Sequence, residues 1–238
     1  MNFQGFFITG TDTNVGKTLV AAALILKLQS LGIKTVGFKP VVAGMRQIDG
    51  KMMSEDIETL LMVSREALPN LQASDICPYF LEDPAAPHLV AEKVGITLDI
   101  RKMRHHYNSF KEDIDAIVVE GAGGFLVPLN EDITLGDFAQ EINLPVILVV
   151  DIKLGCINHA LLSAEAIHHR GLELYGWVAN STHENQDYAR ENINTLNNIL
   201  KKKFNTKLIG EISYNEGISS IGIYLISSLK KIANSLHL

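Results

Sequence analysis

The first apolar run of the chain, residues 6–9, leads into Gly10-Thr11-Asp12-Thr13-Asn14-Val15-Gly16-Lys17-Thr18 and then directly into an apolar stretch, residues 19–28. Few local patterns constrain a fold as tightly. A strand has to deliver the loop, the loop has to bare its backbone N–H groups, and a helix has to begin at the lysine, so that amides and the positive helix end hold phosphate oxygens together. Strand, glycine-containing loop, Gly-Lys-Thr and helix is the phosphate-loop layout, in which Lys17 neutralises β/γ charge and the Thr18 hydroxyl ligates Mg2+. Five residues separate Gly10 from Gly16 where the usual pattern has four, which places Thr11 at the usual first-glycine position. A turn with a chance Gly-Lys-Thr is the competing reading. Its place after the first strand and at the head of a helix favours nucleotide binding.

The rest of the chain fits such a loop. Short apolar runs at 6–9, 35–39, 114–120, 145–151, 174–180 and 207–211 alternate with helical patterns at 16–31, 54–63, 98–110, 134–142, 158–170, 186–203 and 219–236, the rhythm of βα units. Ile117-Val118-Val119 and Val146-Ile147-Leu148-Val149-Val150 are apolar without alternation, as strands covered on both faces are. The expectation is an α/β fold: a single doubly wound, mainly parallel sheet flanked by helices, in one domain over residues 1–238. The segment 77–87, with Pro78, Pro84 and Pro87, reads as a loop too short for a linker.

Composition removes several classes. The 21 basic against 27 acidic residues give a net charge of −6, so no nucleic-acid partner is expected. No apolar run approaches the roughly 20 residues of a membrane span, and the start lacks the pattern of a secretory signal; a cytoplasmic protein is expected. Cys77 and Cys156 stand alone, with neither disulfide nor zinc spacing, and read as reduced thiols.

In an open parallel sheet ligands gather at the carboxyl ends of strands. Glu120 ends the most apolar strand, before Gly121-Ala122-Gly123-Gly124; beside a phosphate loop it reads as a Mg2+ ligand, the alternative being a solvated acid before a flexible turn. Lys39, followed by Pro40, stands where it can meet an anionic ligand. Ser54 can cap a helix whose first turn holds Glu55 and Asp56; for Asp56 this competes with a second Mg2+ carboxylate. Residues 151–158 lead from a buried strand into a helix whose free N–H groups can take a carboxylate. Cys156 has no base by sequence and reads as a buried or loop thiol. The pairs His105-His106 and His168-His169 diverge by ~100° on their helices and receive no role.

With these residues in hand, the sequence resembles the dethiobiotin synthetase family over most of its length, to about Glu211. The resemblance rests on GTDTNVGKT (10–18), GFKP (37–40), VEGAGG (119–124), LPVILVV (144–150), KLGCINHA (153–160) and GWVAN (176–180), and the longer loop spacing is itself a family feature. It implies an ATP-dependent ligase of biotin synthesis: 7,8-diaminononanoate takes up CO2 as a carbamate, ATP phosphorylates the carbamate, and the second amine closes a cyclic urea with release of phosphate. It implies Mg2+ on Thr18, Asp56 and Glu120, ATP as co-substrate, and no biotin prosthetic group. Thr13, Lys17 and Lys39 would serve the chemistry. Asn14, Val15, Gly16, Lys17, Thr18, Glu120 and Gly123 would hold the nucleotide, with Asn180 at the adenine edge. Lys39, Ala43, Leu154, Gly155, Cys156 and Asn158 would hold the diamine, in a site shared across a homodimer.

Three positions depart from the family pattern: Ala43 where many members have Ser, Asn14 where some have Glu, and Ser213 where Pro is familiar. They bear on a substrate hydrogen bond, on closure of the phosphate loop and on base selectivity. Two other classes share the loop. Switch ATPases of the plasmid-partitioning and septum-site type carry an additional lysine near the loop's start, and Thr11, Asp12 and Thr13 supply none; their basic membrane helix has a thin counterpart in Lys230-Lys231. Amidotransferase ligases of the cobyrinate type need a glutamine-hydrolysing domain, for which 238 residues leave no room.

Overall fold

The computed structural model describes residues 5–48, 50–110, 113–184, 187–214 and 224–238. Six strands make the central sheet: β1 (Gly5–Gly10), β2 (Thr35–Phe38), β7 (Ala116–Gly124), β8 (Val146–Asp151), β9 (Leu174–Asn180) and β10 (Lys207–Ile212). Their spatial order is β10-β9-β8-β1-β7-β2, and every pairing is parallel. All residues of β1 and β8 are buried, which is why those runs carry no polar alternation.

The helices among the described residues are α1 (Lys17–Ser30), α2 (Glu55–Ser64), α3 (Ala73–Ile76), α4 (Pro87–Lys93), α5 (Ile100–Ser109), α6 (Leu135–Ile142), α7 (Cys156–His169), α8 (Ala189–Phe204) and α9 (Ile226–Ser235). From β1 the chain moves past β7 to β2, then back across β1 to β8, β9 and β10. Because parallel crossovers are right-handed, this reversal puts α1 on one face and α6, α7 and α8 on the other. The doubly wound arrangement follows, and its crevice opens at the carboxyl ends of β1, β7 and β8.

Several boundaries differ from the sequence expectation, each for a physical reason. β7 continues to Gly124: the glycines after Glu120 extend the strand instead of turning, and Gly124 pairs with Gly10 across a register shift. The segment 77–87 is not a plain loop, since β6 (Phe80–Leu81) pairs in parallel with β3 (Val42–Ala43), and Pro87 opens α4, where its missing N–H costs nothing. A hairpin, β4 (Arg46–Ile48) with β5 (Lys51–Met53), stands nearby. α1 is buried nearly all round because α2 and α9 cover the side turned from the sheet. That also places α9: Leu229, Ile232 and Ala233 are buried, and it packs on α1 and β10. Of the helix expected over 219–236, the part before residue 224 lies outside the described residues. Among the described residues, no helix is long and apolar enough to cross a membrane.

Candidate functional site

β1 delivers Gly10 to the crevice, where the Thr11 N–H donates to Val149 O of β8 (3.0 Å). The loop that follows is held by its own geometry and by Asn180. Asn14 and Gly16 take left-handed backbone angles (φ 61° and 95°), and a Cβ on Gly16 would overlap the Asn180 side-chain amide, so only glycine fits there. Asn180 Nδ2 donates to Val15 O (2.8 Å). The residue assigned to the adenine edge thus also anchors the phosphate loop. Thr13 is exposed, its N–H donating to Asp12 Oδ1 (2.7 Å), and Gly123 (φ 61°) lies alongside.

Lys17, the first residue of α1, folds back so that Nζ donates to Asp12 O (2.8 Å) across the loop. It is buried; desolvation first, and then neighbouring Lys39, lower its pKa to about 8, against the pull of Glu120, Asp56 and Asp12. An anion in the loop would supply what the ammonium lacks.

The adjacent Thr18 reaches the acids. Its Oγ1 lies 2.8 Å from Asp56 Oδ1 and 2.8 Å from Glu120 Oε1, with a single proton to donate. Lys39 Nζ stands 2.6 Å from both Asp56 Oδ2 and Glu120 Oε1, and Lys39 and Glu120 are 3% and 1% exposed. Burial raises the Glu120 pKa above the usual carboxylate value despite Lys39. For the half-exposed Asp56 burial works in the same direction, but the Lys39 charge and hydrogen bond win and hold it low. For Lys39 itself, desolvation is outweighed by the two acids, which raise its pKa.

Among the described residues, Glu120 Oε2 is buried without a hydrogen-bond partner. A buried carboxylate oxygen left over is an unfilled requirement, and together with the Asp56 and Thr18 oxygens it forms the hard-oxygen donor set that Mg2+ prefers. The residues fit the ion. Ser54 sits at the N-cap of α2 without a side-chain cap bond, Glu55 pairs with Arg46 (2.7 Å), and Asp56 turns to Thr18 and Lys39. Glu120→Gln, which keeps the shape and removes the charge, should weaken Mn2+ binding in the presence of a non-hydrolysable ATP analogue by at least about tenfold. Paramagnetic titration reads this directly, and an unchanged curve would return Glu120 to a structural role.

The segment assigned to the diamine starts after β8. Leu154 is 100% exposed, Gly155 is left-handed (φ 90°) at the N-cap of α7, and Asn158 is exposed on the first turn. Not every amide at that helix start is free, because Cys156 N–H donates to Lys153 O (3.0 Å). Cys156 and Cys77 are both buried free thiols; burial raises the pKa of each, Cys77 to about 12, so neither is poised as a nucleophile. Ala43 ends β3, partly buried. An open cavity of about 530 Å³ that includes His105, His106, Asp75 and Phe110 lies away from these residues and contains none of them.

The AAA domain family pattern matches residues 4–221. The chain belongs to the AAA domain family. Among solved structures, this AAA domain protein is similar to a ParA family ATPase from Chlorobium tepidum TLS, at 15% identity and a TM-score of 0.59, with 99% of this chain and 100% of that chain covered. It is also similar to the MinC:MinD cell division protein complex of Aquifex aeolicus, at 14% identity and a TM-score of 0.54, with 96% and 85% covered. At such identities the likeness speaks to the fold, that of the P-loop nucleotide hydrolases, and the phosphate loop described above is the part of that fold that takes a nucleotide.

Sequence reasoning passed over three residues of this AAA domain protein. The Asp12 carbonyl holds Lys17 in place, a main-chain role that no side-chain motif reveals. Tyr224 is partly buried in the neighbourhood of Asp56, Glu120 and Glu55; burial and those carboxylates push its phenol up to about 12. Nothing in the sequence links a residue more than a hundred positions on to Glu120. Asp151, at the tip of β8, is buried and could have been flagged as a charge ending a wholly apolar run.

Proposed function

We propose that this AAA domain protein is an ATP- and Mg2+-dependent ligase of the dethiobiotin synthetase type, a single domain that converts 7,8-diaminononanoate and CO2 to a cyclic urea. The observation that carries the reading is Lys39. A phosphate loop already has its lysine in Lys17; a second buried ammonium from the end of β2, sharing Glu120 and Asp56 with Thr18, is what an anionic nucleophile needs in order to approach a phosphate.

The chemistry balances in three steps. One substrate amine attacks CO2 and loses a proton, giving a carbamate. A carbamate oxygen attacks the γ-phosphorus of ATP, the bond to the β-phosphate oxygen breaks, and ADP leaves. The second amine then attacks the carbamoyl carbon, loses a proton and expels phosphate, closing the ring. Phosphoryl transfer asks mostly for positioning and charge stabilisation. Here Lys39 would align the carbamate and Lys17 would offset charge on the transferred group, while the amides of Asn14, Val15 and Gly16 hold the phosphates. Mg2+, held by Thr18, Asp56 and Glu120, would neutralise charge on the β- and γ-phosphates.

The diamine carboxylate would meet Leu154, Gly155, Cys156 and Asn158 of a second chain. Leu162, one turn along α7 from Asn158, is 62% exposed, and Leu154, in the loop before that helix, is 100% exposed, so Asn158 has exposed apolar side chains close to it in the chain, of the kind that marks a contact surface. Incubating the protein with ATP, Mg2+, bicarbonate and 7,8-diaminononanoate and weighing the product tests the whole reading. The expected product is the cyclic urea together with stoichiometric phosphate; phosphate release without urea would overturn it.

A further inference from the structure

One buried carboxylate takes no part in the phosphate chemistry. Asp151 ends β8, the strand paired with β1, and is 3% exposed. Its Oδ1 accepts from the Thr182 hydroxyl (2.7 Å) and the Thr182 N–H (3.2 Å), and its Oδ2 lies 3.1 Å from Lys153 Nζ. Asp151 thus joins two segments that are distant in sequence: the irregular stretch following β9 and the loop leading from β8 into α7. The main chain adds a rung between them, Ile152 N–H to Asn180 O (2.9 Å), and the Asn180 side chain in turn holds the phosphate loop at Val15.

A carboxylate taken out of water is costly unless its oxygens are met. Once met from several directions it is held in one place, and it holds its partners in place too. The partners here are Lys153 and the root of a loop with few anchors of its own, whose next residues are the wholly exposed Leu154 and the left-handed Gly155.

We propose that Asp151 is a positioning residue for the carboxylate end of the substrate. Clamped by Thr182, it fixes the Lys153 ammonium and the first turn of α7, so that an incoming carboxylate meets a cation and amides already in place, with less ordering left to lose on binding. The identity of that ligand rests on the diamine reading above; the clamp itself does not.

Two measurements separate these. Hydrogen exchange, read without substrate, should rise in residues 152–159 of Asp151→Ala while residues 10–18 exchange as in the unaltered protein. In the urea-forming assay the same variant should raise the diamine KM about tenfold, with kcat and the ATP KM within about twofold. A general loss of stability would instead raise exchange throughout and move both KM values together, and that result overturns the proposal. Asp151→Asn, which keeps an acceptor for Thr182, should recover much of the diamine KM. Should Asp151→Ala fail to fold, Thr182→Val removes a single hydroxyl and should show the same pattern at smaller size. Unchanged exchange at 152–159 in whichever variant folds rules out the clamp. Raised exchange with an unchanged diamine KM rules out its service to the substrate. A protein that forms no urea at all refutes the ligase reading, and the exchange experiment still decides the clamp.

Discussion

Lys17→Ala is expected to lower nucleotide turnover by about three orders of magnitude or more and to leave the fold in place. The loss follows from what the ammonium does: it is the fixed positive charge at the head of α1, and neither the amides of the loop nor the exposed Thr13 can replace it. The intact fold follows from where it sits. Lys17 is buried next to a second ammonium, and its pKa of about 8 records that the charged form is less favourable there than in water, so its removal relieves the folded chain. The bond it gives up is one contact to Asp12 O, at the edge of the loop. Phosphate release with ATP and thermal melting measure the two halves separately. Urea formation at the normal rate in this variant would overturn the phosphate-loop assignment, and a collapsed melting point would show that Lys17 is part of the framework.

How much of this was legible in the sequence depends on how local each cause is. The phosphate loop was readable because strand, glycines, Lys17 and helix are contiguous; β1 and β8 were readable because strands covered on both faces carry no polar interruption, and the edge strand β10, with Lys207 and Glu211 exposed, because its short run falls between two helical patterns. The glycines after Glu120 hid where the strand ends, because an absent side chain is the signal of a turn and equally of a backbone that must approach a neighbour; the pairing of Gly124 with Gly10 carries β7 four residues further. Pro87 misled for a similar reason, since a proline that ends one element starts another. For Asp56 the local residues left two readings open and only the family resemblance chose between them: Ser-Glu-Asp before an apolar run is a complete helix start by itself, and what separates Asp56 from Glu55 in the fold is the approach of Lys39 and Thr18, 17 and 38 positions earlier in the chain. Asp151 was visible as a charge but not as a clamp, because Thr182, its main partner, lies in an irregular segment with no pattern.

Chains carrying Lys39→Ala and chains carrying Asn158→Ala are expected to be nearly inactive apart and active together. Lys39→Ala takes away the cation between Glu120 and Asp56 and leaves both acids facing the reacting anion, a loss of at least about two orders of magnitude in kcat. Asn158→Ala forfeits one hydrogen bond to a charged group, about 1.5–3 kcal/mol, or roughly one to two orders of magnitude in diamine KM. The sheet gives the reason to look for the two residues in different chains. Lys39 follows β2 and the Asn158 loop follows β8, and with β7 and β1 between them the strand ends lie about 14 Å apart. Leu154 and Leu162 meanwhile face water on either side of Asn158, where a second copy would cover them. In a heterodimer of the two variants one shared site holds both lesions and the other holds neither. Co-expression with two tags and random assortment should therefore restore about a quarter of the unaltered activity at subsaturating diamine, half the dimers being mixed and each having one good site. Mixed dimers that native mass spectrometry detects but that form urea no faster than the parent variants would show each chain binding its diamine alone, and Asn158 would then belong to the contact surface without reaching a substrate.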